Sequence, residues 1–532
     1  MLKQEEKKRS LREQSAWLLA AKLVGFSLSF ALPLIIVRNL ALESVGHYRE
    51  AFQIITNAVV ILPLGFSMSA YYFLAREKER RAASILNILI FNFLVGGLAC
   101  LLLFLYPQTI GNIFHSEELT RLAPLIGIVI WIWIFSTFLE MVAIANQEAR
   151  VATVFIISAQ FSKTLLMGTA IIWFASVEAL IYAAMFQGIL QTIILIWYLR
   201  TRFSGFLRSF DPAFFWEQMR YAIPFGLTGI LWMAQYDIHN YFVGYQFTSA
   251  EFAIYAYGCF EVPLIAMLSE SVSSVLIPKM NELQQKGDRE EMIRLTARAM
   301  QKLALVYFPI YVFLFITART FITTLFTQQF EMSASIFAIN ITLLPFAILI
   351  TDPVVRSFKE LGRIFLVTRI IILAAMVSVL YLSIGKVTLT GVITIAVAAV
   401  LIEKVVAETL VIRKLELGVR HLHLLKPVIK TAFAALVAGI VTYFVYNGVH
   451  KYIQYAGEHF IEDTLDIHAL GVLNFFGGSL VLLICGLIFA PVYLAIANRL
   501  DLIDESEKSL IRRYWNAVFS RNRSAGVVET QA

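Results

Sequence analysis

The sequence predicts an all-α, polytopic membrane protein, and three observations carry that reading. The first is a series of long apolar stretches along almost the whole chain. Each is near the roughly 20 residues that a helix needs to cross about 30 Å of hydrocarbon. The second is composition: 59% of the 532 residues are hydrophobic and 15% charged, a balance foreign to a soluble chain of this length. The third is that basic residues gather in alternate connections. In lipid a backbone must satisfy its own hydrogen bonds, so each apolar stretch is read as a membrane-spanning helix.

About fourteen spans follow in order, at approximately 16–38, 47–74, 83–106, 121–145, 151–175, 178–199, 217–244, 250–279, 303–325, 332–356, 363–383, 389–412, 428–448 and 469–497. Spans 47–74 and 250–279 are longer than a perpendicular crossing requires and are expected to tilt or protrude. The first stretch follows a basic segment, but it is too long for a signal-peptide core and has no clear cleavage site, so it is expected to be retained. Cys100, Cys259 and Cys485 all fall in apolar stretches and read as small hydrophobes. No Cys/His cluster has metal-ligand spacing, and no phosphate-binding glycine loop is present.

Orientation follows from the basic residues. The segment before the first span holds Lys3, Lys7, Lys8, Arg9 and Arg12; the connection after the second holds Arg76, Lys78, Arg80 and Arg81. The connections after spans six, eight, ten and twelve are basic as well, with Arg200, Arg202 and Arg208, then Lys286, Arg289 and Arg294, then Lys359 and Arg363, then Arg413, Lys414 and Arg420. The loop expected at 449–468 instead sets Lys451 against Glu458, Glu462, Asp463 and Asp466. Both termini are therefore expected in the cytoplasm and the 449–468 loop outside. The net charge of +7 is mostly this topological signal, and its dispersal argues against a nucleic-acid partner. In the tail, 501–532, Leu510, Ile511, Tyr514, Trp515, Val518 and Phe519 recur at helical spacing among arginines. That pattern suits an amphipathic helix on the inner membrane surface, and equally a solvated tail.

The chain repeats itself weakly. Val45-Gly46-His47-Tyr48 opens span two, and Phe252-Ala253-Ile254-Tyr255 opens span eight. Leu103-Phe104, Thr109 and Ile113-Phe114 end span three; Leu314-Phe315, Thr320 and Leu325-Phe326 end span nine. Gln147 to Val151 turns after span four as Glu360 to Ile364 does after span ten. The offset stays just above two hundred positions. Two six-helix halves, 1–200 and 217–420, are thus expected to be parallel bundles joined by a cytoplasmic linker at 201–216. Two extra spans at 421–500 and the 501–532 tail complete the division.

Ile36-Val37-Arg38-Asn39-Leu40 to Gly46-His47-Tyr48, continuing through Leu64-Gly65-Phe66 to Tyr72-Phe73-Leu74-Ala75-Arg76-Glu77, resembles the start of the polysaccharide and O-antigen flippases. These move lipid-linked sugars and belong to the multidrug/oligosaccharidyl-lipid/polysaccharide exporter superfamily. Asp237, Gly244 and Tyr255 resemble the second-half version of the same pattern. The resemblance covers roughly residues 15–420. It departs at Leu40-Ala41-Leu42-Glu43-Ser44, where a Leu-Gly is usual, and the two C-terminal spans resemble the lipid II flippase branch. It implies a carrier, neither an enzyme nor a nucleotide-binding protein. The implied cargo is an undecaprenyl-pyrophosphate-linked oligosaccharide of lipopolysaccharide or other polysaccharide assembly. The implied partners are membrane lipids, a polysaccharide polymerase and glycosyltransferases, and the implied setting is the bacterial cytoplasmic (inner) membrane.

Within that frame the ionisable groups inside spans matter most, since each costs about 2.5–3.5 kcal/mol at a helix centre. The first half holds Lys22 in span one and Lys163 in span five, with Arg38 and Arg49 at the outer ends of spans one and two and Glu140 as its one acid well inside a span. The second half holds Asp237, Glu261, Glu270, Asp352, Glu403 and Glu408, with Arg369 and Lys404. Lys22, Lys163, Arg38 and Arg49 are candidate ligands of a lipid pyrophosphate. Three of these have a plainer reading, in which Lys163 pairs with Glu140 and the arginines snorkel to headgroups; near Lys22 the sequence offers no obvious acid. Asp237 and Glu261 are candidates for a coupling proton or sodium ion, against a helix–helix hydrogen bond to His239 or Asn240. Lys404 is expected to meet Glu408 one turn on, and Arg369 to meet Asp352 or Glu403. No catalytic or metal-binding residue is expected.

The sequence thus predicts a carrier that alternates access to a central polar cavity and moves the cargo head group from the inner to the outer leaflet. Rivals are a cation-coupled multidrug exporter of the same superfamily, disfavoured by Lys22 and the absence of a span-one carboxylate, a lipid II flippase, and a membrane glycosyltransferase or polymerase.

Overall fold

The computed structural model describes residues 11–465 and 470–503, so the amphipathic pattern of the tail lies outside the described residues. Those residues are helical throughout, with no strand. The helices are α1 (Leu11–Asn39), α2 (Leu42–Ile61), α3 (Ala70–Arg76), α4 (Arg81–Leu105), α5 (Gln108–Phe114), α6 (Glu117–Ser136), α7 (Phe138–Ala145), α8 (Ala149–Phe174), α9 (Val177–Arg202) and α10 (Pro212–Gln246). They continue as α11 (Ser249–Gly258), α12 (Pro263–Lys286), α13 (Arg289–Phe326), α14 (Ser333–Asn340), α15 (Asp352–Ser357), α16 (Lys359–Leu382), α17 (Leu389–Leu415), α18 (Lys426–Leu465) and α19 (Leu470–Arg499). Among the described residues, 9 helices are long and apolar enough to cross a membrane, or 10 when the bent pair α2–α3 is one span. The protein is a multi-pass membrane protein.

Several expected single spans are broken, and local sequence explains why. Span 47–74 stops at Ile61 and resumes at Phe66 with a 43° bend. Pro63 cannot donate to the helix ladder, and Leu64 (φ 48) and Gly65 (φ 72) take left-handed backbone. Gly65 is required there twice over, because a Cβ would also lie 2.8 Å from Gly226 of α10. Span 250–279 breaks between Gly258 and Pro263. Span 332–356 becomes α14, two 3₁₀ turns with Pro345 at the start of the second, and α15. The clearest difference from expectation is at 449–468: α18 runs on as helix to Leu465. No proline interrupts it, and Gly457 lets α19 lie against it, 3.1 Å from a Cβ position to Gly477 Cα.

The chain divides into two compact units. The first comprises residues 1–260, 325–337 and 373–396. Its core gathers Phe66, Ile85, Phe138, Leu139, Tyr198 and Phe206, each at most 2% exposed. Small residues bring α1 and α8 together at Gly25 and Gly168, where Ser29 Oγ donates to Gln160 Oε1 (2.8 Å) and Thr164 Oγ1 to Leu28 O (3.1 Å). Helix starts are built as turns require: Ser116 caps α6, Ser176 caps α9, Asp211 caps α10 ahead of Pro212, and Thr248 with Glu251 forms a capping box on α11. A buried amide chain ties α10 to α4: Asn87 Nδ2 donates to Gln218 Oε1 (2.9 Å), and Gln218 Nε2 to Ser84 Oγ (2.8 Å).

The second unit comprises residues 261–324, 338–372 and 397–532. Its core holds Met280, Met292, Leu303, Tyr307, Val354 and Leu415. The two extra spans, α18 and α19, pack on α13. Tyr446 and Thr320 share a hydroxyl hydrogen bond (2.8 Å), Tyr493 Oη donates to Leu305 O (2.9 Å), and Cys485 lies in the apolar packing as a small hydrophobe.

Candidate functional site

Lys163 is set on α8 by that helix's register, and its ammonium lies 4.7 Å from the centroid of the Trp133 ring on α6. Trp133 is fixed by its indole N–H, which donates to Ala184 O of α9 (3.0 Å), and by Gly188, where a Cβ would crowd the ring. Phe52 of α2 meets Trp133 edge-on at 6.1 Å. The ring contact holds the cation, and the expected pairing with Glu140 does not form. A cation–π contact contributes about 0.5–2 kcal/mol, leaving all three ammonium hydrogens for another acceptor. Lys22 lies on α1, but its side chain is outside the described residues.

A second polar group lies on α10. Asp237, 8% exposed, accepts a hydrogen bond from Asn240 Nδ2 on its own helix (3.1 Å). Asn240 Oδ1 is buried without a hydrogen-bond partner among the described residues. His239 Nδ1 meets Tyr255 Oη of α11 (2.8 Å), and Asn57 Nδ2 of α2 donates to Tyr241 Oη (3.2 Å). Among the described residues Asp237 therefore carries one hydrogen bond and no contacting cation.

A third group lies where α1 ends and α2 begins. Arg38 Nη1 donates to Leu34 O (2.8 Å) and Leu325 O (2.9 Å). The guanidinium of Arg49 sits 5.4 Å from the centroid of the Tyr257 ring. Arg49 Nε and Tyr257 Oη are both buried without a hydrogen-bond partner. Glu50, which the sequence reading passed over, is 0% exposed. It stands among Glu43, His47 and Arg49 near a helix start, where charges are ordinary, so nothing in the sequence singled it out.

In the second unit the expected acids separate by role. Glu403 takes Arg369 in a two-pronged contact, Nε at 3.1 Å and Nη2 at 2.7 Å. Asp352 instead binds Arg356 one turn along α15 (2.8 Å), on the surface. Glu261 and Glu270 are exposed. Among the described residues no group of three His, Cys, Asp or Glu side chains is arranged to hold a metal ion.

The sequence matches a known family over residues 35–335, more than half of the chain. The chain belongs to the polysaccharide biosynthesis protein family. Its fold agrees with the exporters that this family resembles. A structure of the lipid II flippase MurJ, inward closed, matches at 14% identity, covering 92% of this chain and 98% of that one, with a TM-score of 0.66. An inward-facing multidrug resistance MATE family transporter of the MOP superfamily matches at 15% identity, covering 74% and 98%, with a TM-score of 0.60. A MOP superfamily transporter from Pyrococcus furiosus, described as having a binding pocket of reversed polarity, matches at 16% identity, covering 76% and 97%, with a TM-score of 0.54. At these identities the likeness speaks for the fold alone. Among curated proteins no sequence matches. The family agrees with the polysaccharide branch that the residues quoted above resemble, and the fold is shared with these lipid II flippase and MATE structures.

Proposed function

We propose that the protein flips an undecaprenyl-pyrophosphate-linked oligosaccharide from the inner to the outer leaflet of the bacterial inner membrane, by alternating access, for cell-surface polysaccharide assembly. Both termini then face the cytoplasm. The supporting observation is Lys163, inside α8, which has a ring beneath it and, among the described residues, no carboxylate against it. Arg49 repeats the pattern on α2. Such groups are costly to keep in a membrane unless an anion visits them. A pyrophosphate offers several acceptor oxygens and dense negative charge, and a hydrated head group cannot cross hydrocarbon unaided.

In this reading Lys22 and Lys163 hold the pyrophosphate within the membrane, and Arg38 and Arg49 receive it at the outer end. Glutamines and asparagines such as Gln160 and Asn57 meet sugar hydroxyls. The prenyl tail stays in apolar surroundings, for which the second unit offers a groove of about 490 Å³ lined by Pro309, Phe313, Leu314, Phe489 and Tyr493. Asp237 and Glu261 are the candidate sites for a coupling proton or sodium ion. The fold match that extends over 92% of the chain favours lipid II as a second reading of the cargo, with the same pyrophosphate chemistry. A cationic drug fits Lys163 poorly.

The test is flipping in reconstituted vesicles, with fluorescent polyprenyl-pyrophosphate-linked oligosaccharide and lipid II offered separately. Faster flipping of the oligosaccharide supports the first reading, and of lipid II the second. Movement of neither above empty vesicles overturns both.

A further inference from the structure

Glu50 is fully buried, and the ionisable group found against its carboxyl is the His47 imidazole. Its Oε2 accepts a hydrogen bond from Ser249 Oγ at the start of α11 (3.1 Å). Its Oε1 is buried with no hydrogen-bond partner. His47 Nδ1, one turn back, lies 3.7 Å from Oε2 and makes no hydrogen bond. The other charged groups on the surrounding helices are engaged elsewhere. Arg38 of α1 binds backbone carbonyls, and Arg49 lies over Tyr257. Glu118 of α6 and Glu178 of α9 both bind Arg121, at 2.7 and 3.1 Å. On α10, Asp237 holds Asn240 and His239 holds Tyr255; on α11, Glu251 closes the capping box. Glu43 opens α2 on the exposed side.

The carboxyl sits in a tight crossing of two helices. A Cβ at Gly46 would overlap the Ser249 carbonyl. On the same two helices Val45 (0% exposed), Phe252 (1%) and Tyr255 (0%) are buried as Glu50 is. In its neutral form Glu50 keeps the Ser249 hydrogen bond and brings no charge into the crossing. In its ionised form it needs water or a cation at Oε1, and neither can enter while α2 and α11 touch.

We propose that Glu50 is a proton-binding site whose occupancy clasps α2 to α11, and that loss of this proton parts them at the outer end. The site is separate from Asp237 and Glu261. Only its use in coupling rests on the flippase reading; the clasp itself needs no cargo.

The test uses the full chain in nanodiscs, with Cys100, Cys259 and Cys485 replaced and one reporter cysteine added. Val45→Cys reports the crossing, and Ala41→Cys, exposed just before α2, corrects for thiol ionisation. The probe is N-ethylmaleimide. Labelling of Val45→Cys relative to Ala41→Cys should rise roughly tenfold between about pH 5.5 and about pH 8.5. In Glu50→Gln, which stays neutral and still accepts from Ser249, it should remain at the low-pH level throughout. A flat wild-type profile, or a Glu50→Gln profile like the wild type, overturns the proposal. If Glu50→Gln does not accumulate, Ser249→Ala replaces it: loss of the hydrogen bond should speed labelling at low pH severalfold, and labelling equal to the wild type overturns the clasp. A clasp that responds in a protein that flips no lipid would instead leave the clasp standing and remove the flippase reading.

Discussion

Lys163 is a charge retained inside a membrane helix by an aromatic ring. Because no ion pair is broken and the ring returns only part of the cost of holding a cation in the membrane, Lys163→Met should leave the free energy of unfolding unchanged or raise it by about 1 kcal/mol. Flipping should fall tenfold or more, with Lys163→Arg keeping part of it. Matched expression and vesicle assays separate these effects, and a Lys163→Met protein that flips at the wild-type rate removes the residue from the site. Lys22 gives the parallel case from sequence alone: arginine should preserve partial activity, alanine lose most of it, and glutamate nearly all, at unchanged membrane abundance. At this scale the sequence showed which polar groups stand inside spans but not what each touches. Lys163 faces Trp133 and not Glu140. Arg369 has two candidate acids in the sequence, and the fold brings up Glu403 from the next helix. Glu50 was invisible because its burial depends on α11, some two hundred positions away in sequence.

At the scale of the helix, the Arg369–Glu403 pair joins α16 to α17 with both side chains largely enclosed, 19% and 10% exposed. Arg369→Ala takes the two-pronged contact away from a largely enclosed carboxylate and should cost about 2–4 kcal/mol, measured as a lowered unfolding midpoint in detergent. The double change Arg369→Met with Glu403→Met should recover most of that loss, since neither charge of the pair then remains. A single mutant as stable as the wild type would show the pair to be idle. The crossing of α18 and α19 fails for a different reason: a Cβ at Gly477 would stand 2.8 Å from Gln454 O. Gly477→Leu should therefore destabilise by about 1–3 kcal/mol through forced separation. Helix identity was legible because apolar runs and basic turns have simple signatures. The breaks at Pro63, Pro263 and Pro345 were legible only as prolines. Their breaking depended on what the freed backbone could pack against, as Gly65 does on Gly226.

At the scale of the whole molecule, the alternation of basic connections is the reason to expect both termini in the cytoplasm. The helical course of α18 to Leu465 changes what should be seen outside. A loop at 449–468 would be uniformly accessible. A helix instead exposes one side: Lys451, Tyr452 and Tyr455 are exposed, whereas Tyr446 is buried and Ile453 packs on Cys485 and Val481. Single cysteines placed successively at 449–460 in intact cells should therefore react with an impermeant maleimide in a helical rhythm, strongest at Lys451→Cys, Tyr452→Cys and Tyr455→Cys and weak at Ile453→Cys. Cysteines at Gln4 and Ser524, in the terminal segments, should react only after the membrane is opened. The two arms test different things. Uniform labelling across 449–460 would return this stretch to a loop and leave the topology intact. Labelling of the terminal cysteines in sealed cells, with 449–460 protected, would invert the orientation, and with it the direction of the proposed flipping.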